Sequence, residues 1–120
     1  MATGSSPLRP AVFPFEDDRV HDSNEILELK ALPKKLAVIG GGVIGSEYAG
    51  TFAALGAEVH LIDGRDVLMP FLDSEISRAL TDAMTANGVR FHWNQKVVRC
   101  DASRAQKPSG SATASALMRA

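Results

Sequence analysis

The chain has 120 residues, a formal net charge of −1 and 45% apolar residues, which fits about one globular domain. The balanced charge argues against a surface for nucleic acid or an anionic membrane, and no run of about 20 apolar residues predicts a transmembrane helix. The single cysteine, Cys100, excludes an internal disulfide framework, and the N-terminus does not resemble a signal peptide, so we expect a cytoplasmic protein.

The first part of the chain, residues 1–33, contains four of the six prolines and an acidic cluster at residues 16–18. This composition predicts an extended segment that lies over a folded unit. Within it, a short helix is expected over residues 24–29, with Ser23 as its N-cap and an end before Pro33.

The next segment changes from a strand pattern to a helix pattern. Residues 36–39 are a continuous apolar run, which predicts a strand buried on both faces. Residues 43–55 follow a helical period that ends at Gly56. The larger side chains that recur at this spacing are Ile44, Tyr48, Phe52 and Leu55.

The same alternation then repeats. Residues 58–63 predict a second strand, and residues 74–86 predict a second helix capped by Asp73. The expected buried stripe of that helix is Ile76, Leu80, Ala83 and Met84. A third strand is indicated by alternating Val89, Phe91 and Trp93. The order β-α-β-α-β predicts an α/β fold with a Rossmann-like parallel sheet, half of a doubly wound unit.

The last part of the chain, residues 101–120, is rich in Ala and Ser and includes Pro108 and Gly110. It has neither strand alternation nor a strong amphipathic period, which predicts a disordered tail. The sequence thus divides into an extended segment at 1–33, a Rossmann half-domain at 34–100 and a tail at 101–120.

A glycine-rich loop joins the first predicted strand to the first predicted helix. Gly40, Gly42 and Gly45 have the spacing G-x-G-x-x-G, which lets a backbone turn sharply and approach a pyrophosphate at a helix N-terminus. Asp63 ends the second strand, 18 residues after Gly45, close to the spacing of a carboxylate that binds a ribose 2′-OH. Together these features favour a dinucleotide site over a turn without a ligand.

Other interpretations of the loop remain. A methyltransferase-type Rossmann loop usually has an acid two residues before its first glycine, where this chain has Val38. Asp63 would repel the 2′-phosphate of NADP and favours NAD, whereas Arg65 could pair with that phosphate. If Asp63 rotated away, the site would accept either cofactor, and the sequence leans to NAD.

Few other residues suggest chemistry. Glu47 lies one turn into the predicted helix, where it could face a nicotinamide or simply solvent. The three histidines have no metal-ligand spacing, and no nucleophile is paired with a base. The sequence therefore predicts a binding site with neither a catalytic centre nor a metal site.

The chain resembles the flavoprotein pyridine nucleotide–disulfide oxidoreductases through four segments in the same order: ATGSSP, DSNEIL, LPKKLAVIGGGVIGSEYAGTFAALGAEVHLID and FLDSEI. The resemblance implies that residues 34–100 belong to an NAD(P)-binding domain, with Glu47 near the nicotinamide and Asp63 near the adenosine ribose. It implies a pyrophosphate lined by Gly40, Gly42, Val43, Ile44 and Gly45. Thr3 and Gly4 would remain from a turn beside FAD.

Within that family, the chain is most similar to the soluble, Si-specific pyridine nucleotide transhydrogenases, which pass hydride from NADPH to NAD⁺ through FAD. Dihydrolipoyl dehydrogenase is the alternative, and the residues that would separate the two precede Met1. The resemblance implies NAD(P)(H) and FAD as cofactors, and homo-oligomers for full-length members. Because other FAD segments and the dimerisation domain lie outside these residues, we expect a piece of a longer enzyme that is inactive alone, or a non-catalytic nucleotide-binding chain.

Overall fold

The computed structural model describes residues 2–101 and the backbone of residues 114–118. The helices and strands of these residues are β1 (Val20–His21), β2 (Lys35–Ile39), α1 (Val43–Ala54), β3 (Glu58–Ile62), α2 (Ser74–Ala86), β4 (Val89–His92) and β5 (Ala114–Met118). A 3-10 helix, Glu25–Glu28, lies between β1 and β2. The predicted α/β class is confirmed, and none of the described helices is long and apolar enough to cross a membrane.

The five described strands form one parallel sheet in the order β1-β5-β2-β3-β4. β2 pairs with β3 from Lys35 opposite Glu58 to Ile39 opposite Ile62. The order reverses at β2, because β3 and β4 lie on one side of it and β5 lies on the other. Open parallel sheets bind ligands at such a switch point, beyond the carboxyl ends of the strands.

The main core lies between the sheet and the two helices. Leu36 and Val38 of β2 and Val59 and Leu61 of β3 are almost fully buried and pack in one cluster with residues of α1 and α2. The alternate strand positions are less buried. This period of two fixes the register of β2 and β3, because a one-residue slip of either strand would bring polar side chains into the core. These are Lys35 in β2 and Glu58 and His60 in β3.

The buried face of α1 is not the face that carries most of its larger side chains. Its buried residues are Gly45, Ser46, Ala49, Phe52 and Ala53. Of the larger side chains that recur at helical spacing, Phe52 is buried and Tyr48 half-buried, whereas Ile44 and Leu55 are exposed. Small residues let the helix axis lie close to β2, so the face that packs is the smallest one and not the most hydrophobic one.

The buried face of α2 is also narrower than predicted. Met84 is buried and Leu80 is half-buried, but Ile76 and Ala83 are exposed. Ser77 is buried in their place, and its hydroxyl donates to the Met69 carbonyl at 3.3 Å. That hydrogen bond ties α2 to the segment that follows β3.

The N-terminal segment is fixed by polar contacts. Ser23 was predicted as the N-cap of its helix, but the N-cap position is Asn24, and the side chain that accepts from the backbone N–H groups at the helix start is Asp22. Asp22 Oδ1 accepts from the backbone N–H groups of Asn24 and Glu25, both at 2.9 Å. Its Oδ2 accepts from the Arg9 guanidinium at 2.7 Å and 2.8 Å. Ser23 contributes its carbonyl, which accepts from the Tyr48 hydroxyl at 2.9 Å. Asp22 has a second oxygen for Arg9, which a serine lacks.

Five residues of the predicted tail form a strand. β5 pairs with β2 from Lys35 opposite Ala114 to Ile39 opposite Met118, and it pairs with β1 on its other edge. This differs from the expectation for these five residues, because ladder pairing uses backbone groups and needs no strong strand pattern. The rest of the predicted tail after Asp101 lies outside the described residues.

Candidate functional site

The glycine loop leaves the carboxyl end of β2 and is held by backbone hydrogen bonds. Gly40 has a φ of +106°, a conformation that favours glycine. Its N–H donates to the Ile62 carbonyl at 2.8 Å, and the Gly41 carbonyl accepts from Met69 N–H at 3.1 Å. The loop is therefore anchored both to β3 and to the segment after it.

Gly45 is required by the close crossing of the loop and α1. A Cβ built on Gly45 would lie 1.9 Å from the Gly40 carbonyl oxygen and 3.4 Å from Cγ1 of Val38. Any larger residue would push α1 away from the loop that precedes it. Gly45 is thus explained by packing within the protein.

Gly42 differs from Gly45 in this respect. Its φ of −81° and ψ of −173° are ordinary extended backbone, which other residues adopt freely. A Cβ built there would meet no atom of the described residues within 4 Å, apart from its chain neighbours. Neither backbone strain nor packing against the described residues requires glycine at this position, which leaves room for a ligand to approach the backbone.

At the N-terminus of α1, Gly42 provides no side-chain cap within the described part of the chain, and the first turn contains no acidic residue. The N-terminus of α2 is the opposite, since Asp73 accepts from Glu75 N–H at 2.8 Å. The first N–H groups of a helix have no partner within the helix, and they attract anions. At α1, these first N–H groups include those of Val43 and Ile44, whose side chains are exposed.

Asp63 follows β3 and is fixed against the loop. Its Oδ2 accepts from Gly41 N–H at 2.5 Å and from Arg65 Nη2 at 2.7 Å. Its Oδ1 accepts from the backbone N–H of Arg65 at 2.8 Å and from Arg65 Nε at 2.9 Å. The Asp63 side chain is 5% exposed. The buried carboxylate therefore holds the glycine loop through the Gly41 N–H.

The ionised form of Asp63 is strongly favoured. Hydrogen bonds from the Arg65 side chain hold the pKa of the Asp63 carboxyl well below its usual range, and the Gly41 and Arg65 backbone donors act in the same direction. Burial opposes this shift and is outweighed. The carboxylate is therefore negative throughout the physiological range.

The sequence predicted Asp63 and Arg65 as separate contacts to a cofactor. In the structure they contact each other in a bidentate, two-pronged ion pair. The sequence interpretation also missed Gly41, whose N–H reaches Asp63. The run of three glycines was the available signal, because a Cβ on Gly41 would lie 3.2 Å from Asp63 Oδ2 and 3.3 Å from Leu68.

Comparison with known proteins agrees with this geometry. Residues 1–115 match the pyridine nucleotide-disulphide oxidoreductase family. The chain belongs to that family. Among family relatives, it is 48% identical over 101 residues to the soluble pyridine nucleotide transhydrogenase of Pseudomonas savastanoi pv. phaseolicola and 49% identical over 96 residues to that of Pseudomonas syringae pv. syringae.

The aligned regions cover 84% and 80% of this chain but only 22% and 21% of those two relatives. The chain therefore spans about a fifth of the length of the curated relatives it matches. Among solved structures, it is similar to the HOCl-induced flavoprotein disulfide reductase RclA from Escherichia coli. The TM-score is 0.83 and the identity 28%, with 97% of this chain and 28% of that chain covered.

The other residues that the sequence predicted for the cofactor sites are Glu47, Thr3 and Gly4. Glu47 is exposed and lines two clefts, one of about 430 Å³ between α1 and residues 26–32 and one of about 390 Å³ between α1 and α2. Thr3 and Gly4 are exposed, and Gly4 has a φ of +83°. Among residues 2–101, no hydrogen bond joins these three residues to Asp63.

The histidines form one pair that the sequence did not indicate. His60 Nδ1 lies 2.8 Å from His92 Nε2, and His60 Nε2 lies 3.2 Å from Glu58 Oε1. Across the described residues there is no group of three or more His, Cys, Asp or Glu side chains that could hold a metal ion. Cys100 is half-buried, and burial raises the pKa of its thiol.

Proposed function

We propose that this chain is the nicotinamide-dinucleotide-binding part of an FAD-dependent oxidoreductase of the transhydrogenase kind. The observation that carries the proposal is Gly42, which faces open space in an unstrained conformation at the uncapped start of α1. A dinucleotide pyrophosphate needs a close approach to such a backbone and the positive end of a helix. Family membership and the position of the loop at the strand-order reversal support the same reading.

The roles of individual residues follow from their places. Gly40, Gly42 and Gly45, with the N–H groups of Val43 and Ile44, would hold the pyrophosphate at the start of α1. Asp63 would lie at the adenosine ribose end, because it follows the neighbouring strand β3 and supports the loop. We place Glu47 toward the nicotinamide side only by its position on α1.

The wider activity we propose is hydride passage from NADPH to NAD⁺ in the cytoplasm, with FAD supplying the electron-carrying chemistry when bound. The relatives named soluble pyridine nucleotide transhydrogenase support this reading. This chain's own contribution is to bind and orient a dinucleotide. Of the flavin site, we assign only Thr3 and Gly4 to this chain. Ionised Asp63 disfavours a second negative charge nearby, which favours NAD(H) over NADP(H).

Calorimetric titration of the 120-residue chain with NADH and with NADPH tests the site. We expect saturable NADH binding that is at least about tenfold weaker in Gly42→Ala, because the methyl group fills the approach to the loop. Gly50→Ala is the matched control, since a Cβ at Gly50 also meets no protein atom within 4 Å but lies later in α1. Absence of binding to either cofactor contradicts the proposal, as does equal binding by Gly42→Ala and the wild type.

A further inference from the structure

Hydrogen bonds from the described residues fill the acceptor sites of the Asp63 carboxylate. A carboxylate offers about four lone-pair sites, and Asp63 accepts four hydrogen bonds, two at each oxygen. A ribose diol would have to donate to the same lone pairs. Binding of such a diol to Asp63 therefore requires that one or more of the present donors leave.

The four donors are not equally able to leave. Two are backbone N–H groups, of Gly41 and of Arg65, and they are fixed by the loop and by the turn after β3. The other two are Nε and Nη2 of the Arg65 side chain. That side chain is 36% exposed, whereas the carboxylate beneath it is 5% exposed. The guanidinium is therefore the donor that can turn into solvent while both backbone hydrogen bonds stay intact.

We propose that Arg65 is a latch on Asp63 that sets the balance between NAD(H) and NADP(H). In the free chain its guanidinium occupies the carboxylate and competes with the ribose diol of NAD(H). With NADP(H), the guanidinium turns to the 2′-phosphate, which it can bind through two parallel hydrogen bonds as it binds the carboxylate. This inference rests on the proposed function, since it concerns the same dinucleotide site.

The latch and the sequence-based interpretation differ in the side chain that moves. That interpretation had Asp63 rotate away to admit a 2′-phosphate. Asp63 is buried and bonded to two backbone N–H groups, so its rotation would leave those donors unpaired. Movement of Arg65 leaves both backbone bonds intact.

The test is a pair of calorimetric titrations, with NADH and with NADPH, of the wild-type chain and Arg65→Met. Removing the competing guanidinium is expected to tighten NADH binding several-fold and to weaken NADPH binding at least about tenfold. Unchanged or weaker NADH binding in a folded Arg65→Met chain overturns the latch. In that case Arg65 either contacts only the phosphate or merely holds the loop.

Two further variants make the result specific. Arg65→Lys keeps the charge but cannot form the two-pronged bond, so NADH binding should exceed that of the wild type while NADPH binding stays stronger than in Arg65→Met. Arg90→Met is the control, because Arg90 is an exposed arginine that pairs with Glu58 on the sheet, and it should change neither affinity. Equal NADH binding by wild type and Arg65→Met overturns the latch but not the proposed function. No binding by either overturns both.

The Arg65 Nε–H signal in nitrogen-15 NMR gives a readout that does not depend on affinity. In the free chain this proton is bonded to Asp63 Oδ1. It should exchange with water more slowly than the Nε proton of Arg78, an exposed arginine on α2. Saturation with NADH should speed its exchange, because the guanidinium has left the carboxylate. Slow exchange that persists at saturating NADH contradicts the latch.

Discussion

Two Asp-x-Arg segments of this chain adopt the same local arrangement. Asp17 accepts from the backbone N–H of Arg19 at 3.0 Å and from Nε and Nη2 of its side chain, both at 2.8 Å. Asp63 and Arg65 repeat these three hydrogen bonds. Only Asp63 adds a bond from the glycine loop, and its side chain is far less exposed than that of Asp17. The same local arrangement is therefore buried beside the glycine loop at Asp63 because of its position after β3.

The Asp17–Arg19 pair makes a testable contribution to pH-dependent stability. The Arg19 side chain lowers the pKa of Asp17 from 3.8 to about 2, against the effect of burial. A folded-state pKa below the unfolded value stabilises the protein above the unfolded pKa, and this stability is lost as the pH falls through the folded pKa. The pKa values of Asp22, Glu58 and Asp63 are lowered as well. The free energy of unfolding should therefore fall between about pH 5 and pH 2.

Urea unfolding of the wild type and Arg19→Gln across this pH range checks the contribution. We expect Arg19→Gln to be less stable above about pH 5, with a difference that shrinks toward about pH 2 as Asp17 is protonated in the wild type. A difference that stays constant with pH would show that Arg19 acts through packing and not through the Asp17 carboxylate.

Among the helices and strands, the first and last residues of a helix were easier to predict from the sequence than its buried face. The predicted helix over residues 74–86 matches α2, because an N-cap at Asp73 and a stop at Gly88 are local signals. Which residues of α2 are buried depends on what packs against it. Met84 is 6% exposed and Ile76 is 58% exposed, although both fit the same helical stripe.

This difference predicts unequal effects of two similar substitutions. Met84→Ala removes a buried side chain that packs in the main core and should lower the free energy of unfolding by about 2–5 kcal/mol. Ile76→Ala, at an exposed position of the same helix, should change it by less than about 0.5 kcal/mol. Chemical denaturation of both variants measures the contrast. A loss at Ile76 as large as that at Met84 would mean that the side chain is covered in solution.

For the whole molecule, β5 decides whether the sheet is continuous. It lies between β1 and β2 and pairs with both. Without it, β2 would be an edge strand, and unpaired edges promote association between chains. The strand also creates the reversal of strand order at β2, from which the glycine loop leaves.

A proline at the centre of β5 tests this architecture. Ala116 pairs with Ala37 on β2 and with Val20 on β1. Ala116→Pro removes a backbone donor from a strand with two neighbours, which should lower the free energy of unfolding by about 1–3 kcal/mol for the acceptor left unpaired. Ala31→Pro, in an exposed bend outside the strands, is the control. Thermal unfolding compares them, and equal midpoints for Ala116→Pro and the wild type would mean that β5 does not belong to the sheet.

The sequence alone determined the α/β class, the order of the first elements and the position of the glycine loop and Asp63. These follow from apolar periodicity, glycine spacing and distance along the chain, and each is decided within a short segment. A strand followed by G-x-G-x-x-G and a helix has few alternatives, because backbone sterics restrict how such a turn can be made.

The tertiary structure decided the buried faces of both helices, the pairing of β5, and the bonds that join Gly41, Asp63 and Arg65. The Gly41–Asp63 bond joins residues 22 apart in the chain, and it forms because β2 and β3 are adjacent and in register. A carboxylate at a strand end has the same local sequence whether it is free or bonded. Its partners depend on which strand ends lie next to it, and that is a property of the folded sheet.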